Sequence, residues 1–273
     1  MRTKVNGIEV AYTDEGEGKG LPLVFVHGFP LNRGTWSKQV GAFKATNRVI
    51  APDLRGLGES EATGGPVSMS RFAEDLYALL QHLDTGPVIL AGHSMGGYVA
   101  LAFAKAFPQA LRGLVLVGTK AGPDTPEAAA ARRATAEKVR AKGVSVVVDA
   151  MAPKMLSSGN TDAAMAQSVR DFMTGSNPEG VVGALLGMAE RPDAGAWLDK
   201  IQVPTLVIAG ADDTIIPPSE AEALTKAIPN TQLKLIFDAG HLVAFEQFGA
   251  FNEALRDWLA WAAFDPRRGM CDA

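Results

Sequence analysis

The sequence has only one cysteine, Cys271, and four histidines among its 273 residues. A single cysteine excludes an intrachain disulfide framework and a metal site built from thiolates. The histidines form no H-E-x-x-H motif and no second histidine stands at ligand spacing, so we expect no metal and no cofactor. Cys271 is close to the C-terminal end, and we expect it to be an exposed thiol in a loose tail over residues 265–273.

Blocks of basic residues and long apolar runs are also missing. The formal net charge is −4, and Arg267-Arg268 is too short to form a basic patch, which argues against nucleic acid and anionic membranes as partners. No uncharged apolar run has the length of a membrane-spanning helix, and the first residues show no signal-peptide pattern. We therefore expect a cytoplasmic protein without a membrane partner. The sequence gives no indication of its oligomeric state.

What the sequence does contain is an alternation of short apolar runs and amphipathic stretches. Asn6-Gly7 predicts the turn of an opening β-hairpin, and the later runs predict buried strands and helices by their spacing. We expect strands at 3–5, 8–13, 21–26, 48–51, 87–91, 111–117, 203–209 and 232–237, and framework helices at 35–43, 70–83, 95–107, 218–228 and 242–263. This pattern predicts an α/β protein with a mainly parallel sheet, helices on both faces and the hairpin at one edge.

The alternation stops between about 119 and 199. Here we expect only helical segments, near 126–142, 144–156, 161–175 and 178–190, separated by Gly, Pro, Ser and Asn. The stretch 144–148 has a strand-like composition, so a strand there remains an alternative. We expect this helical insert of about eighty residues to lie between the fifth and sixth parallel strands.

The stretch 88–100 predicts a strand, a sharp turn and a helix, with Ser94 at the apex. A serine hydroxyl becomes a nucleophile only when a base removes its proton and a substrate can reach it. The small residues Gly92 and Gly96 allow strand and helix to approach closely while the turn forces Ser94 into strained backbone angles. G-x-S-x-G also occurs by chance, so an ordinary turn is the alternative, but the predicted strand before it and helix after it favour a nucleophile.

Among the four histidines, His241 is the best candidate for the base. It follows the predicted strand 232–237 in Ala239-Gly240-His241, on a loop with small neighbours. His82 reads as a surface residue, the His93 side chain should leave the serine turn in another direction, and His27 precedes a candidate oxyanion loop. The base of a serine hydrolase belongs at the carboxyl end of the sheet, beside the serine.

An acid that orients the base should lie on another loop at the same edge. The predicted strand 203–209 ends in Gly210-Ala211-Asp212-Asp213, and either aspartate could serve. Asp124 is a weaker candidate because it lies inside the insert. Asp238 is weaker because its position at a strand end suits a turn-capping role.

Five segments together make the chain resemble an α/β-hydrolase. They are His27-Gly28-Phe29-Pro30, Asp53-x-Arg55-Gly56-x-Gly58-x-Ser60, Gly92-His93-Ser94-Met95-Gly96, Gly210-x-x-Asp213 and Gly240-His241. Their order, nucleophile then acid then histidine, matches the family. The resemblance implies Ser94 as nucleophile, His241 as base and Asp213 rather than Asp212 as acid. The alternative position of the acid, after the preceding strand, holds no carboxylate in this sequence.

The resemblance also implies an oxyanion hole and a lid. The oxyanion donors would be the backbone N–H groups of Phe29 and Met95, since Pro30 has no N–H and biases Phe29 towards extended angles. Residues 1–118 and 199–273 would form the hydrolase core, and 119–198 a helical cap that shapes the acyl pocket. Five of the nine methionines fall in this insert, and we expect most of them to pack its helices together: Met151, Met155, Met165, Met173 and Met188.

Several activities are compatible with this resemblance. The first is hydrolysis of small or medium carboxylic esters, with a small-molecule ester as partner. The others are perhydrolysis, suggested by the similarity of the Phe29-Pro30 loop to those of cofactor-free haloperoxidases, enol-lactone or carbon–carbon bond hydrolysis, and a small-molecule receptor that retains the triad. Fold alone does not choose among them. Five arginines of the insert are candidates for binding a substrate carboxylate: Arg132, Arg133, Arg140, Arg170 and Arg191.

Overall fold

The computed structural model describes residues 1–263, which form one eight-stranded sheet with helices around it. The strands are β1 (Arg2–Val5), β2 (Ile8–Glu15), β3 (Gly20–Val26), β4 (Asn47–Pro52), β5 (Val88–His93), β6 (Leu111–Val117), β7 (Thr205–Gly210) and β8 (Thr231–Ile236). The predictions made for Cys271, for Arg267-Arg268 and for the tail 265–273 lie outside the described residues.

The sheet has the order β1-β2-β4-β3-β5-β6-β7-β8. The hairpin β1–β2 lies at one edge, and β2 runs antiparallel to β4. Strands β3 to β8 run parallel to one another. Every residue of β5 and β7 is buried, as expected for parallel strands covered on both faces. The predicted fold class is therefore confirmed.

Ten helices connect or follow these strands within the described residues. They are α1 (Ser37–Phe43), α2 (Met69–His82), α3 (Met95–Ala106), α4 (Pro126–Lys142), α5 (Ser145–Met151), α6 (Ala163–Thr174), α7 (Pro178–Ala189), α8 (Pro218–Ala227), α9 (Val243–Glu246) and α10 (Phe248–Ala263). Side-chain caps start several of them; the Ser68 hydroxyl, for example, accepts a hydrogen bond from the Arg71 N–H at the start of α2.

The core divides into two layers because side chains alternate along each strand. Val24 and Val26 of β3 point into one cluster, which includes residues of α2 and α3. Leu23 and Phe25 point into the other, against α1 and α10. The sheet is thus covered on both faces, and its loops at the carboxyl ends of the parallel strands remain available for a site.

The inserted helices α4–α7 lie between β6 and β7, which are the fourth and fifth of six parallel strands. The prediction that the insert follows the fifth parallel strand was therefore wrong. β2 does not count among the parallel strands because it runs antiparallel to its neighbour β4. The strand alternative for 144–148 is also excluded, since α5 covers most of this stretch and buries Val147 and Val148 on one side.

Two predicted helices are interrupted in the structure. The segment 144–156 consists of α5 followed by a 3₁₀ turn, Ala152–Lys154. The segment 242–263 breaks at Gln247, whose backbone has φ −113° and ψ 52°, between α9 and α10. Within residues 1–263, no helix combines the length and apolarity needed to cross a membrane.

Candidate active site

Ser94 occupies the sharp turn between β5 and α3. Its backbone has φ 53° and ψ −115°, a conformation that non-glycine residues rarely adopt. Strand and helix approach so closely that a Cβ on Gly92 would lie 2.2 Å from the Gly96 carbonyl oxygen, and one on Gly96 would lie 2.4 Å from the Val26 carbonyl oxygen. The Ser94 N–H donates to the Val117 carbonyl at 2.9 Å, which ties the turn to β6.

The structure places the side chains of Ser94, His241 and Asp213 in one hydrogen-bonded line. His241 Nε2 lies 2.9 Å from Ser94 Oγ, and His241 Nδ1 lies 2.7 Å from Asp213 Oδ2. Because an ionised carboxylate can only accept hydrogen bonds, Nδ1 of His241 carries a proton and donates a hydrogen bond to Asp213. His241 Nε2 is then the free acceptor for the hydroxyl of Ser94.

Asp213 is held as an anion although its side chain is buried. Burial by itself raises the pKa of this carboxyl. The hydrogen bond from His241, its charge, and hydrogen bonds from the backbone N–H groups of Ile215 and Ile216 together lower the pKa below its usual value. The backbone N–H groups of Ile215 and Ile216 donate to Asp213 Oδ1 at 2.8 and 2.9 Å. Asp212, the alternative acid, is exposed and has no contact with His241 among the hydrogen bonds of the described residues.

The loops that carry Asp213 and His241 are joined by their backbones. The Asp212 N–H donates to the Ala239 carbonyl at 2.9 Å. A Cβ on Gly210 would lie 2.2 Å from the Gly240 carbonyl oxygen, so only glycine allows the two loops to approach this closely. The relative position of the aspartate and the histidine is therefore set by backbone packing at the ends of β7 and β8.

Two other histidines support the site without facing the serine hydroxyl. His93 Nε2 lies 2.8 Å from the His241 carbonyl oxygen, so this nitrogen is protonated and donates. Burial, followed by the charge of His241, lowers the pKa of His93 to about 3. His27 accepts from the Leu54 N–H at Nε2, and its Nδ1 lies 2.8 Å from the Gly28 carbonyl oxygen; burial lowers its pKa as well. Both rings are therefore neutral donors in the folded protein.

The candidate oxyanion donors are the backbone N–H groups of Phe29 and Met95. Within residues 1–263, no hydrogen bond uses the N–H of Phe29 or of Met95, the first residue of α3. The loop of Phe29 lies directly against the serine turn, because a Cβ on Gly28 would be 3.0 Å from the Cβ of Ser94. Among the described residues, two unpaired backbone donors therefore flank Ser94, one on the adjacent loop and one at the start of α3.

Glu246 is a contact of the site that the sequence analysis missed. Its buried carboxylate accepts from the Gly240 N–H at 2.7 Å, from the Ser157 N–H at 3.0 Å and from the Asn160 amide at 2.8 Å. It thereby links the histidine loop to the segment after α5. The available signal was a single carboxylate in the otherwise apolar run that follows His241.

Most of the other histidines, aspartates and arginines that the sequence analysis considered for the site form hydrogen bonds or ion pairs elsewhere in the structure. His82 contacts Thr3 at the surface. Asp124 pairs with Arg132 and Arg191, and the Asp238 carbonyl accepts from Gln247 in a turn of positive φ. Four of the five insert arginines have carboxylate partners: Arg132 and Arg191 with Asp124, Arg140 with Glu137, and Arg170 with Asp149.

The insert methionines and the Asp53–Ser60 motif also have packing or structural contacts. Met155, Met173 and Met188 are buried in the core cluster, and Met151 and Met165 pack against it. Asp53 accepts from the backbone N–H groups of Arg33 and Glu59 and so holds its own loop together. Arg55 pairs mainly with Asp75 at 2.6 Å. Among residues 1–263, no group of three or more His, Cys, Asp or Glu side chains is arranged to hold a metal ion.

Comparison with known proteins agrees with this architecture. The family model described as alpha/beta hydrolase fold matches residues 22–248. A thermophilic esterase from Thermogutta terrifontis, solved with malate bound, superimposes with a TM-score of 0.92 and 42% identity over 96% of this chain and 98% of that one. A non-heme chloroperoxidase from Kitasatospora aureofaciens is 32% identical over 89% of this chain and 92% of its own length.

An enol-lactonase from Burkholderia xenovorans is also similar, with a TM-score of 0.89 and 27% identity over 95% of this chain and all of that one. The relatives thus include an esterase, a chloroperoxidase and a lactonase on one scaffold. The family model covers most of the chain, including the segments of Ser94, Asp213 and His241. The chain belongs to the alpha/beta hydrolase fold family.

Proposed function

We propose that this protein is a serine hydrolase that cleaves carboxylic esters of small or medium acyl chains through an acyl-Ser94 intermediate. The observation that carries the proposal is the line of contacts from Ser94 Oγ to His241 Nε2, at 2.9 Å, and from His241 Nδ1 to Asp213, at 2.7 Å. These are hydrogen-bonding distances for a nucleophile, a base and an orienting acid. The 42% identity to an esterase supports the choice of substrate class.

In the first step, Ser94 Oγ attacks the ester carbonyl carbon while His241 Nε2 takes the hydroxyl proton. The imidazolium formed is stabilised by Asp213, which the hydrogen bonds from Ile215 and Ile216 hold in place as an anion. Collapse of the tetrahedral intermediate breaks the bond to the alcohol oxygen. His241 returns the proton to that oxygen, so the alcohol leaves neutral and the acyl group stays on Ser94.

The negative charge on the carbonyl oxygen needs donors that are already in place. The N–H groups of Phe29 and Met95 suit this role because they have no partner within the described residues. Phe29 lies on the loop against Ser94, and Met95 follows Ser94 at the start of α3. Deacylation repeats the sequence with water. His241 takes a proton from water, the hydroxide attacks the acyl carbon, and Ser94 Oγ leaves with the proton returned by His241.

We propose further that residues 119–198 act as a cap over this site. The link through Glu246 supports this role, because it joins the histidine loop to Ser157 and Asn160 of the insert. The Leu242 N–H adds a backbone bond to the Met155 carbonyl at 2.8 Å. The cap would then define which acyl chains reach Ser94.

A substrate panel tests the proposed function. We expect multiple turnovers with p-nitrophenyl esters from acetate to decanoate. Enol-lactones and substrates of carbon–carbon bond hydrolases are assayed in parallel. Higher kcat/KM for a lactone or a carbon–carbon substrate would replace the ester assignment within the same fold. A single turnover followed by arrest, with a ligand-dependent change in proteolytic protection, would instead identify a receptor.

Perhydrolysis is a second candidate, favoured by the 32% identity to a non-heme chloroperoxidase. The acyl-Ser94 ester could be attacked by hydrogen peroxide instead of water, which would release a peracid. Pro30 restricts the loop that carries the Phe29 N–H, and a fixed carbonyl there would accept a hydrogen bond from peroxide.

We expect Pro30→Leu to lower the ratio of peracetate to acetate formed from an acetate ester and peroxide, by about twofold to tenfold, while ester cleavage in water is largely retained. Peracid is measured by oxidation of a halide-coupled dye, and Ser94→Ala provides the blank. An unchanged ratio in Pro30→Leu, or no peracid from the wild type, would remove perhydrolysis and leave the esterase.

A further inference from the structure

A cavity of about 320 Å³ lies along α3. Four of its lining residues, Tyr98, Leu101, Ala102 and Lys105, have helical spacing and share one face of α3. The start of α2, residues 120–121 after β6 and residues 191–197 complete its walls. None of the five proposed catalytic and oxyanion residues lines it. Its volume is at the low end of the range for small-molecule pockets, roughly 300–1,000 Å³.

The charges around this cavity are positive. Lys105, Lys120 and Arg191 line it, and no aspartate or glutamate is among its lining residues. Within residues 1–263, neither lysine forms an ion pair. Lys105 Nζ instead lies 4.1 Å from the centre of the Trp197 ring. Arg191 shares Asp124 with Arg132, so two guanidinium groups face one carboxylate. The cavity therefore favours an anion over a neutral or cationic ligand.

The walls are otherwise apolar. Met69, Leu101, Ala102 and the Trp197 ring provide the apolar lining. An apolar interior with cations at its side suits an amphipathic anion rather than a small inorganic one.

We propose that this cavity binds a medium-chain or aryl monocarboxylate at a site separate from Ser94. The carboxylate lies between Lys105 and Lys120, and the apolar body packs against Leu101, Ala102 and Trp197. Binding involves no covalent step. The proposal does not depend on the esterase function, because it concerns residues that take no part in the proposed chemistry.

The first test is calorimetric binding of octanoate to the full chain. We expect saturable 1:1 binding of octanoate to this cavity, at least tenfold weaker binding of acetate, and no binding of octyltrimethylammonium, which has the same apolar chain and the opposite charge. Equal affinity for octanoate and the cation would overturn the proposal, because the cavity would then be a general apolar pocket.

Variants then locate the binding site. Lys105→Met removes the charge, and Ala102→Phe fills the cavity without changing any charge; each is expected to weaken octanoate binding at least tenfold. Lys138→Met, on the exposed side of α4, is the matched control and should bind as the wild type does. Circular dichroism verifies folding of each variant. If Ala102→Phe fails to fold, weaker octanoate binding in Lys105→Met and Lys120→Met tests the site instead. Unchanged octanoate binding in the cavity variants would contradict the proposed site.

Turnover of p-nitrophenyl acetate distinguishes a separate site from an extension of the active site. We expect KM for this short ester to stay within about twofold of the wild type in Lys105→Met and Ala102→Phe. A tenfold rise in KM in both variants would show that the cavity belongs to the substrate site, and the proposal of separation would fail. If the wild type shows no esterase activity, the proposed function fails while the binding result still decides this inference.

Discussion

The loops that carry Ser94, Asp213 and His241 and the inserted helices α4–α7 are held to the sheet in different ways. The loops are fixed by backbone bonds and by glycines, such as Gly210 against Gly240, where a side chain cannot be inserted. Near His241 the insert also has a backbone bond, from the Leu242 N–H to the Met155 carbonyl, and a close glycine contact, Gly240 against Leu156. What differs there is a buried side chain: the Glu246 carboxylate adds hydrogen bonds from both sides of the contact. The attachment of the insert therefore depends on one side chain more than the catalytic loops do, and mutations in the two regions should have separable effects.

The largest effect is expected at the serine turn. Ser94→Ala should lower kcat by at least about 10⁴-fold because no other group replaces the nucleophile, while the melting temperature changes little. Steady-state hydrolysis of the best p-nitrophenyl ester measures this, with Ser219→Ala in the exposed part of α8 as the control. Retention of more than about one per cent of the wild-type rate would exclude Ser94 as the nucleophile.

A second large effect separates the two adjacent aspartates. Asp213→Asn should reduce kcat/KM by about three to four orders of magnitude, because an amide no longer holds His241 in the required tautomer. Asp212→Asn is the matched control, and its exposed side chain predicts a change of less than about twofold. Measurement of kcat/KM for both variants at the same pH decides which aspartate is the acid. If the two results were exchanged, the acid would be Asp212.

Glu246 tests the attachment between the two regions. Glu246→Ala leaves the N–H groups of Gly240 and Ser157 and the Asn160 amide without their acceptor, which should cost about 2–4 kcal/mol of unfolding free energy. We also expect kcat to fall about tenfold or more, since displacement of the His241 loop misplaces the base. The measurements are urea unfolding and pre-steady-state acylation rates.

The control for Glu246 is Glu253→Ala, on the exposed side of α10. Glu246→Gln should recover part of the stability, because its carbonyl oxygen can still accept. If Glu246→Ala lost stability but retained the wild-type acylation rate, the bridge would be structural only and would not position His241.

A further effect concerns stability in acid and does not alter catalysis at neutral pH. His93 has a folded pKa of about 3, against about 6.5 in an unfolded chain. Between these values the unfolded chain binds one proton more, so the free energy of unfolding falls as the pH is lowered, by up to about 1.4 kcal/mol per unit. Above this window the contribution is constant.

His93→Gln retains a donor for the His241 carbonyl but cannot titrate. We expect its unfolding free energy, measured by urea titration between pH 7 and about pH 4, to decline less steeply than that of the wild type. The buried His27 contributes a slope of the same sign in both proteins. Identical slopes for the wild type and His93→Gln would show that His93 already binds its proton in the folded state.

Much of this arrangement follows from local sequence signals. Glycine and serine at the end of an apolar run predict the Ser94 turn, and the carboxyl ends of parallel strands meet at one edge. This explains why residues as distant as Ser94 and His241 were predicted to lie together, as the structure places them. The choice of Asp213 over Asp212 came from the family resemblance, since both aspartates follow β7.

Other features depend on contacts that the sequence pattern does not encode. The Glu246 bridge joins residues 89 apart, Ser157 and Glu246, through side-chain bonds. The pairing of His93 with the His241 carbonyl likewise depends on how two loops pack. The position of the insert was misjudged because the direction of β2 is a property of the whole sheet rather than of its own residues.

The most direct test of the central claim is to trap the acyl-enzyme. A slowly hydrolysed p-nitrophenyl ester is mixed with the protein, the reaction is quenched in acid, and the tryptic peptides are analysed by mass spectrometry. The account predicts an added acyl mass on the peptide that contains Ser94, formed at the rate of the p-nitrophenol burst and absent from Ser94→Ala. Turnover without any adduct on Ser94, or an adduct on another residue with burst kinetics, would contradict it.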